Sequence, residues 1–337
     1  MKIRALVVFQ TKLDRQRTER YTHELLHSAE QTIEVWTKRL SLPPTPKGIS
    51  LDRLAEFEVD SRISYALVHI SDKDSRIRDL SGFLRSTRSS FASVLLRTPD
   101  RIREISKLVE SLEPEIATRF SILLNEDFLA TPYYPAGSAN VSEDSLALSL
   151  RYVKEFAEGK GAEALREADE VGRKLSLSLG LYYLGIDPSL SPWMEESVGK
   201  LIEDRSSKIF SFGNLNAISS INREILTSVA KAGVRGIGFS ELMLPVAEDS
   251  VLTERVGEGV LTLRDLLLYS SVCVAGLDMV AVNLTGSNLE ALLRDAFAVY
   301  LTKGRPYGVR LIVFPGSQAL DRVEIKGFGA TYVVKPF

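Results

Sequence analysis

One thiol and two carboxylates are the strongest candidates for chemistry in this 337-residue chain. Cys273, the single cysteine, lies in the apolar segment LLLYSSVCVAGLDMVAVNL together with Asp278. A lone thiol cannot form an internal disulfide, so it is buried, reactive or coordinating a ligand. The predicted catalytic set is Cys273 as the thiol, with Glu241 and Asp278 as acid–base groups. A structural role for Cys273 is an equally good interpretation, because free cysteines are often buried and the end of a helix raises a thiol pKa.

Polar side chains that follow predicted strands form the candidate ligand-binding set. Loops after strands are where α/β proteins commonly carry their sites. The set consists of Thr131, Tyr133, Tyr134, Asn214, Asn216, Glu248 and Asp249. Helix capping is an alternative role for Asn214. Glu248 and Asp249 could bind a cation or act as acid–base groups, and they would equally suit the positive end of a helix dipole.

Standard catalytic and cofactor motifs are absent from the sequence. There is no glycine-rich phosphate loop, no dinucleotide-binding fingerprint and no cysteine pair for zinc. Gly238–Leu242 matches a nucleophile elbow for three residues but lacks its final glycine. His23 and His27 share one predicted helical face, for which an exposed surface is favoured over a metal site, and His69 is predicted to be a buried core residue. The cofactor therefore stays unknown, and no metal site is predicted.

Composition indicates an ordinary globular protein. Hydrophobic residues make up 45% of the chain, charged residues make up 26%, and the net charge is -2. This balance gives no global attraction to nucleic acid or to an anionic membrane, so the predicted partner is a small-molecule ligand. The apolar run at residues 266–277 is shorter than the about 20 residues that a membrane span needs, and the first residues lack a signal-peptide pattern. We expect a cytoplasmic protein, and a homo-oligomer is compatible with the sequence.

Strand and helix patterns alternate along the whole chain. Leu25, Ala29, Ile33, Trp36 and Leu40 recur at helical spacing, and similar faces occur at residues 102–112 and 289–297. The alternation predicts one α/β domain over residues 1–337, built as a closed barrel or as a doubly wound sheet. The ten candidate strands lie near residues 3–9, 62–71, 91–97, 117–124, 180–187, 206–212, 234–244, 278–284, 308–316 and 329–335.

Six short motifs resemble one protein family. ATPYYPAG, GIDPSLSP, FGNLNAI, GFSELMLPVAEDS, LLLYSSVCVAGLDMV and FPG occur in one order over roughly residues 120 to 316. They are similar to the motifs of the family known as domain of unknown function 711, or UPF0210. The resemblance implies a ten-stranded α/β barrel of the pyruvate formate-lyase type, related to the glycyl radical enzymes, and it implies no known reaction. Cys273 occupies the cysteine position of the family's VCxxGLD motif, whereas Val274 stands where glycine is expected.

Two functions fit these residues. The first is an enzyme that acts on a small polar metabolite inside the barrel, with Asn214, Asn216 and Thr131 as positioning donors. The alternative is a non-catalytic protein that binds a small ligand as a sensor or regulator. We predict that the Thr131–Pro135 loop, Asn214, Glu241 and Cys273 converge on one cavity, because ligands gather at the carboxyl ends of strands.

A glycyl radical is not expected, despite the resemblance. Radical enzymes of this type carry their glycine in an Arg-Val-x-Gly-aromatic signature near the carboxyl terminus. The segment Arg322–Phe328 (RVEIKGF) matches this signature only with a register error of two residues. A turn is a sufficient explanation for Gly327 and Gly329, because glycine tolerates positive φ.

Overall fold

A computed structural model describes residues 2–28, 34–272 and 275–337, and it confirms the α/β class. Its strands are β1 (Lys2–Phe9), β2 (Val35–Ser41), β3 (Ser64–Ser71), β4 (Ser90–Leu95), β5 (Phe120–Leu124), β6 (Ser145–Arg151), β7 (Tyr182–Asp187), β8 (Gly276–Val282), β9 (Tyr307–Val313), β10 (Arg322–Ile325) and β11 (Gly329–Tyr332). Its α-helices are α1 (Arg15–Ser28), α2 (Leu51–Ala55), α3 (Leu80–Ser86), α4 (Ile102–Ser111), α5 (Pro114–Ala117), α6 (Val153–Ala157), α7 (Gly161–Leu179), α8 (Val198–Arg205), α9 (Asn214–Ala232), α10 (Ser250–Gly257), α11 (Leu263–Ser271) and α12 (Gly286–Lys303). Among these described helices, none combines the length and the apolar character required to cross a bilayer.

Nine of the described strands form one sheet, in the order β7-β6-β1-β2-β3-β4-β5-β9-β8. Strands β1 to β5 are parallel to one another. At the two sides of this group, β6 pairs antiparallel to β1 and β9 pairs antiparallel to β5. The edge strands β7 and β8 run parallel to β6 and β9. The sheet therefore has a central parallel group of five strands, flanked by two pairs of the opposite direction, and β10 and β11 form a separate hairpin.

Residues 235–245, which we call the bridging segment, are hydrogen-bonded beside both edge strands. The start of the segment exchanges two backbone hydrogen bonds of 3.0 Å with Ile186 of β7. Further along, the Leu242 carbonyl accepts a 3.1 Å hydrogen bond from the Ala275 N–H, next to β8. The sequence predicts a regular strand here, and that prediction is wrong. Gly238 and Ser240 have φ values of 67° and 54°, which interrupt an extended backbone.

The two faces of the sheet have different coverings. One face, the outer face, packs against the helices and forms the largest core cluster, to which β1 contributes Ile3, Leu6 and Val8. Ala5 and Val7 of β1 belong instead to a smaller cluster on the opposite, inner face, because successive side chains of a strand point to opposite faces. The inner-face clusters contain side chains of residues 128–139, which we call the inner loop. The inner face is therefore covered by a loop rather than by helices.

Hydrogen bonds from β2 and the residue after it fix the inner loop on this face. The Ser41 hydroxyl donates to the Gly137 carbonyl over 2.8 Å, and the Ala139 N–H donates to the Leu42 carbonyl over 2.8 Å. Within the loop, the Ser138 N–H donates to the Leu129 carbonyl over 2.9 Å. These bonds satisfy backbone groups that would otherwise be costly to bury.

Two strands, β2 and β6, are absent from the sequence-based expectations, and both carry polar residues on the inner face. Trp36 and Leu40 are predicted on a helix but lie in β2, whereas Ala29 and Ile33 lie outside the described residues. β2 was missed because Thr37 and Arg39 face the inner cavity described below, so the strand lacks an apolar pattern. Strand β6 was missed as well. Its inner-face residues are small or polar, as the sequence SLALSLR indicates.

The strand predicted at residues 206–212 is also wrong. Helix α8 ends at Arg205 and α9 begins at Asn214, and the residues between them form bends. A short apolar run such as Ile209-Phe210 does not distinguish a strand from a buried turn. By contrast, the helical faces predicted at residues 102–112 and 289–297 are confirmed by the buried sides of α4 and α12.

Candidate functional site

A cavity of about 390 Å³ lies on the inner face of the sheet. Its wall is formed by the amino-terminal ends of β1 to β5, by the inner loop, and by residues at the starts of β8 and β9. The bridging segment contributes Phe239 and Met243, and the turn between β10 and β11 contributes Lys326, Gly327 and Phe328. The volume is in the range of small-molecule sites, which run from about 300 to 1,000 Å³.

A chain of buried ion pairs crosses the cavity wall. Arg4 of β1 contacts Glu248 over 2.7 Å, and Arg310 of β9 contacts the other Glu248 oxygen over 3.0 Å. Arg310 also holds Asp278 of β8 with two hydrogen bonds of 2.6 and 3.0 Å. Burial lowers the pKa of Arg310, but the nearby carboxylates of Asp278 and Glu248 outweigh this effect and raise it overall. Arg310 is therefore protonated, and these contacts hold Arg4, Glu248, Asp278 and Arg310 in fixed positions.

Arg39 of β2 is a guanidinium that pairs with none of the described carboxylates. Its Nε donates to Thr37 Oγ1 over 3.0 Å, and its Nη1 donates to the Pro132 carbonyl over 2.8 Å. The guanidinium also lies over the ring of Tyr134, 5.0 Å from the ring centroid. Burial and the neighbouring charge of Arg4 lower the pKa of Arg39 to about 10. Arg39 therefore carries a full positive charge at neutral pH.

Cationic side chains outnumber carboxylates around the cavity as a whole. Arg119 at the cavity wall is held by neutral acceptors, the carbonyls of Leu84 and Ser90. Lys326 pairs with Glu115 at the surface over 3.0 Å. Within the described residues, the lining cations are Arg4, Arg39, Arg88, Arg119, Arg310 and Lys326, and the lining carboxylates are Glu115, Glu248 and Asp278. The cavity consequently favours an anionic or strongly polar occupant.

Asp187, at the end of β7, joins three of the sequence motifs into one cavity wall. Its carboxylate accepts hydrogen bonds from the hydroxyls of Thr131 and Ser189 over 2.7 and 2.6 Å. It also accepts from the backbone N–H groups of Phe239 and Ser240 over 2.9 and 3.1 Å. Burial raises the pKa of Asp187, and these hydrogen bonds act in the opposite direction. Thr131, predicted to bind a ligand, therefore anchors the inner loop and does not line the cavity.

Gly238 of the GFSE segment is required by the position of the Asp187 carboxylate. A Cβ atom at Gly238 would lie 2.0 Å from Asp187 Oδ2, so the close approach requires glycine. The Ser240 hydroxyl donates to the Ile237 carbonyl over 2.9 Å, which is a local turn contact. This segment therefore positions the cavity wall, and the partial match to a nucleophile elbow reflects that role.

Tyr133 and Tyr134 of the inner loop line the cavity, as predicted for ligand-binding residues. The Tyr133 hydroxyl donates to the Ser189 carbonyl over 3.1 Å. Burial raises the pKa of both phenols well above the ordinary value, so both are neutral. Glu248 and Asp278, also predicted site residues, line the same cavity.

Asn214 and Asn216 do not reach the cavity. Asn214 is buried at the start of α9, where its Oδ1 accepts from the Ser211 N–H over 2.6 Å and from the Tyr269 hydroxyl over 3.1 Å. Its Nδ2 donates to Ser206 Oγ over 2.7 Å. Asn216 is exposed on α9. The predicted convergence of Asn214 on the cavity is wrong, because Asn214 holds the turn between α8 and α9. Ligand binding by Asn214 and Asn216 stays a prediction.

Glu241 is also separate from the cavity. Its side chain is 1% exposed and pairs with Lys303 over 2.5 Å and with Arg305 over 2.9 Å at the end of α12. The positive φ of Ser240 breaks the strand alternation just before it, so Glu241 does not share the side of Phe239 and Met243. The predicted convergence of Glu241 with the inner loop is therefore wrong.

Asp249 caps two helices at once. Its carboxylate accepts from the Val251 and Leu252 N–H groups at the start of α10, each over 3.0 Å. It also accepts from the Val198 and Gly199 N–H groups at the start of α8, over 2.8 and 3.1 Å. Burial raises the pKa of Asp249, opposed by these bonds. The helix-start interpretation is confirmed for Asp249, and ligand binding by Asp249 stays a prediction.

Cys273 lies outside the described residues, so the predicted thiol has no structural placement. The nearby residues Ala275 and Gly276 line the cavity.

The sequence analysis did not predict the arginines that dominate the site, Arg4, Arg39 and Arg310. A signal was present, since each arginine interrupts a strand that is otherwise partly or wholly apolar, and a charge in a buried strand needs a partner. Among the described residues, no three His, Cys, Asp or Glu side chains form a metal cluster.

The fold and the site define an α/β protein with an arginine-rich cavity on the inner face of its sheet. Residues 139–326 match the family described as Uncharacterised ACR (DUF711), and the chain belongs to this family. It is similar to a UPF0210 protein of Pyrobaculum aerophilum, with 28% identity over 278 residues, covering 74% of this chain and 60% of the relative. It is also similar to a UPF0210 protein of Methanosarcina barkeri, with 30% identity over 193 residues, covering 56% and 43%. The chain therefore spans less than two thirds of the length of these relatives.

Proposed function

We propose that the nine-stranded sheet and the bridging segment together form a ten-stranded barrel of the pyruvate formate-lyase type, with the cavity in its lumen. The hydrogen bonds of the bridging segment to both edges of the sheet support closure. Strands β1 to β5 would form one half of the barrel. The opposite half would contain β6, β7, the bridging segment, β8 and β9, and the pairing directions support this division.

We further propose that the protein is an enzyme that acts on a small polar metabolite in this cavity. The observation that carries the proposal is the wall of charged groups around the cavity, in which Asp278 keeps 30% of its side chain exposed while Glu248 keeps only 5%. Asp278 is therefore the carboxylate best suited to meet a substrate as an acid–base group. Cys273 is proposed as the thiol, because the nearby Ala275 and Gly276 line the cavity. The proposed activity uses no glycyl radical.

A non-catalytic binding protein is the second candidate. Arg310 holds both oxygens of Asp278, over 2.6 and 3.0 Å, so a proton transfer at Asp278 would have to disturb an ion pair. A wall whose carboxylates are held in ion pairs suits recognition of a ligand as well as chemistry. This pairing favours binding without turnover.

Thermal melts in pools of metabolites, followed by mass spectrometry of each stabilising pool, would separate the two candidates. Stabilisation with product formation supports the enzyme, and stabilisation without product supports the binding protein. The Ser121→Leu variant fills the cavity from β5, and it should lose the stabilisation. A Thr302→Leu variant on the exposed side of α12 provides the control. If Ser121→Leu retains the full ligand response, the ligand binds elsewhere and the cavity proposal is wrong.

A further inference from the structure

We propose that Arg39 forms an anion subsite and that the ligand of the cavity carries an oxyanion, a carboxylate or a phosphate monoester. This inference rests on the proposed function, because it requires a ligand in the cavity. It goes further by naming the chemical class of that ligand and the residue that recognises it.

The charges of the inner wall do not balance without a ligand. Glu248 is shared by Arg4 and Arg310, and Asp278 is held by Arg310. Arg4 and Arg310 therefore share these two carboxylates, and Arg39 pairs with neither of them. Arg39 is partly buried, and a cation that lacks a counter-ion is unfavourable to the extent that protein replaces the water that would solvate it. A bound anion would complete the set.

The geometry of Arg39 leaves part of its guanidinium for a ligand. Nε and Nη1 donate to neutral oxygens of Thr37 and Pro132, which hold the group in place. Nη2 has no acceptor among the described residues, and the side chain faces the cavity. Packing on the Tyr134 ring fixes the plane of the guanidinium. A planar, pre-oriented guanidinium is well suited to carboxylate and phosphate oxygens.

A second polar group in the same cavity lacks a partner. The Ser121 hydroxyl of β5 is buried, lines the cavity and has no hydrogen-bond partner among the described residues. Buried hydroxyls are normally hydrogen-bonded, so an unsatisfied one at a cavity wall indicates a missing polar neighbour. An oxygen-rich ligand in the cavity would supply such a neighbour for Ser121.

The other cations do not offer the same site. Both Nη atoms of Arg119 donate to backbone carbonyls, those of Ser90 and Leu84, whereas Nη2 of Arg39 has no such acceptor within the described part of the chain. Lys326 pairs with Glu115. Arg88 lines the rim but is exposed to solvent, where water screens its charge. Arg88 is therefore a matched control, since the same substitution there changes the net charge of the cavity equally.

The experiment compares anionic probes with neutral probes built on the same phenyl ring. Benzoate is paired with benzamide and phenyl phosphate with phenol, and dissociation constants are measured by ligand-observed NMR for the wild type, Arg39→Gln and Arg88→Gln. We expect the preferred anion to bind the wild type at least tenfold more tightly than its neutral analogue, from the typical strength of a charge-assisted hydrogen bond. The preference should fall to about twofold or less in Arg39→Gln and persist in Arg88→Gln. The two probe pairs distinguish a carboxylate ligand from a phosphate ligand.

Each outcome decides one claim. Equal binding of anion and neutral analogue to the wild type, or an unchanged preference in Arg39→Gln, overturns the anion subsite while leaving cavity binding intact. Failure of every probe and every metabolite pool to bind contradicts the proposed function itself. If Arg39→Gln does not fold, Arg39→Lys keeps the charge but loses the planar fork. It should then weaken anion binding without abolishing the preference, and unaltered affinity would count against the proposal.

Discussion

One buried histidine should account for part of the pH dependence of the free energy of unfolding. His69 of β3 is fully buried, with Nδ1 2.8 Å from the Ser93 hydroxyl and Nε2 3.2 Å from the Ala66 carbonyl. Because a carbonyl only accepts hydrogen bonds, Nε2 carries the proton and Ser93 donates to Nδ1. The ring is therefore neutral and fully satisfied, which confirms the sequence-based expectation of a buried core residue.

The magnitude follows from the shift in its pKa. Burial lowers the pKa of His69 from the ordinary 6.5 to about 4 in the folded protein. Between these values the unfolded chain binds a proton that the folded protein does not bind, so stability falls as the pH is lowered through this window. Each pKa unit corresponds to about 1.4 kcal/mol, which gives a loss of about 2 kcal/mol at pH 5 relative to pH 7.5.

Urea unfolding at pH 7.5 and pH 5 measures this contribution. The His69→Gln variant keeps a hydrogen-bonding side chain without a titratable ring, so its stability should fall by about 2 kcal/mol less than that of the wild type between the two values. His23→Gln, at an exposed position of α1, is the control and should behave as the wild type does. An identical pH dependence in wild type and His69→Gln would show that the ring accepts a proton in the folded state, and the reasoning would fail.

Three further predictions concern the site. Glu248→Gln leaves Arg4 and Arg310 facing an uncharged amide in a buried setting. Urea unfolding should therefore show that the free energy of unfolding falls by about 3–5 kcal/mol. A fall below about 1 kcal/mol would contradict the ion network. If Cys273 is the catalytic thiol, iodoacetamide should label the native protein with an apparent pKa below about 8.5, whereas labelling only after denaturation indicates a structural cysteine. After anaerobic incubation with a radical-activating enzyme, paramagnetic resonance should show no glycine-centred signal, and a signal with backbone cleavage at Gly327 on exposure to air would refute the prediction.

The motif residues act mainly by building the cavity wall. Asp187, Thr131 and Ser189 come from two distant motifs, and their side chains meet in one hydrogen-bonded cluster. Asp249 joins the starts of α8 and α10 in the same manner. A carboxylate buried with several N–H and O–H donors is a rigid junction between segments. The cavity is lined by the arginines of β1, β2 and β9 together with the motif residues Tyr133, Tyr134, Glu248 and Asp278.

Local patterns in the sequence determined the α/β class and most of its elements. Burial produces a regular spacing of apolar residues, and this spacing could be recognised in the sequence. It predicted the strands at residues 3–9, 62–71 and 91–97 and the amphipathic faces of α4 and α12. The motifs also indicated the correct family. Gly327, with a φ of 87°, lies in the predicted turn between β10 and β11.

Tertiary structure decided which polar residues share the cavity. Glu241 and Asp278 are both carboxylates close to strand ends, and only their surroundings separate them. Glu241 is closed off by Lys303 and Arg305, whereas Asp278 faces the cavity beside Arg310. Sequence reasoning placed these carboxylates together because both adjoin a strand. It could not foresee that a positive φ at Ser240 separates Glu241 from the cavity, since this conformation arises from the long-range hydrogen bonds of Asp187.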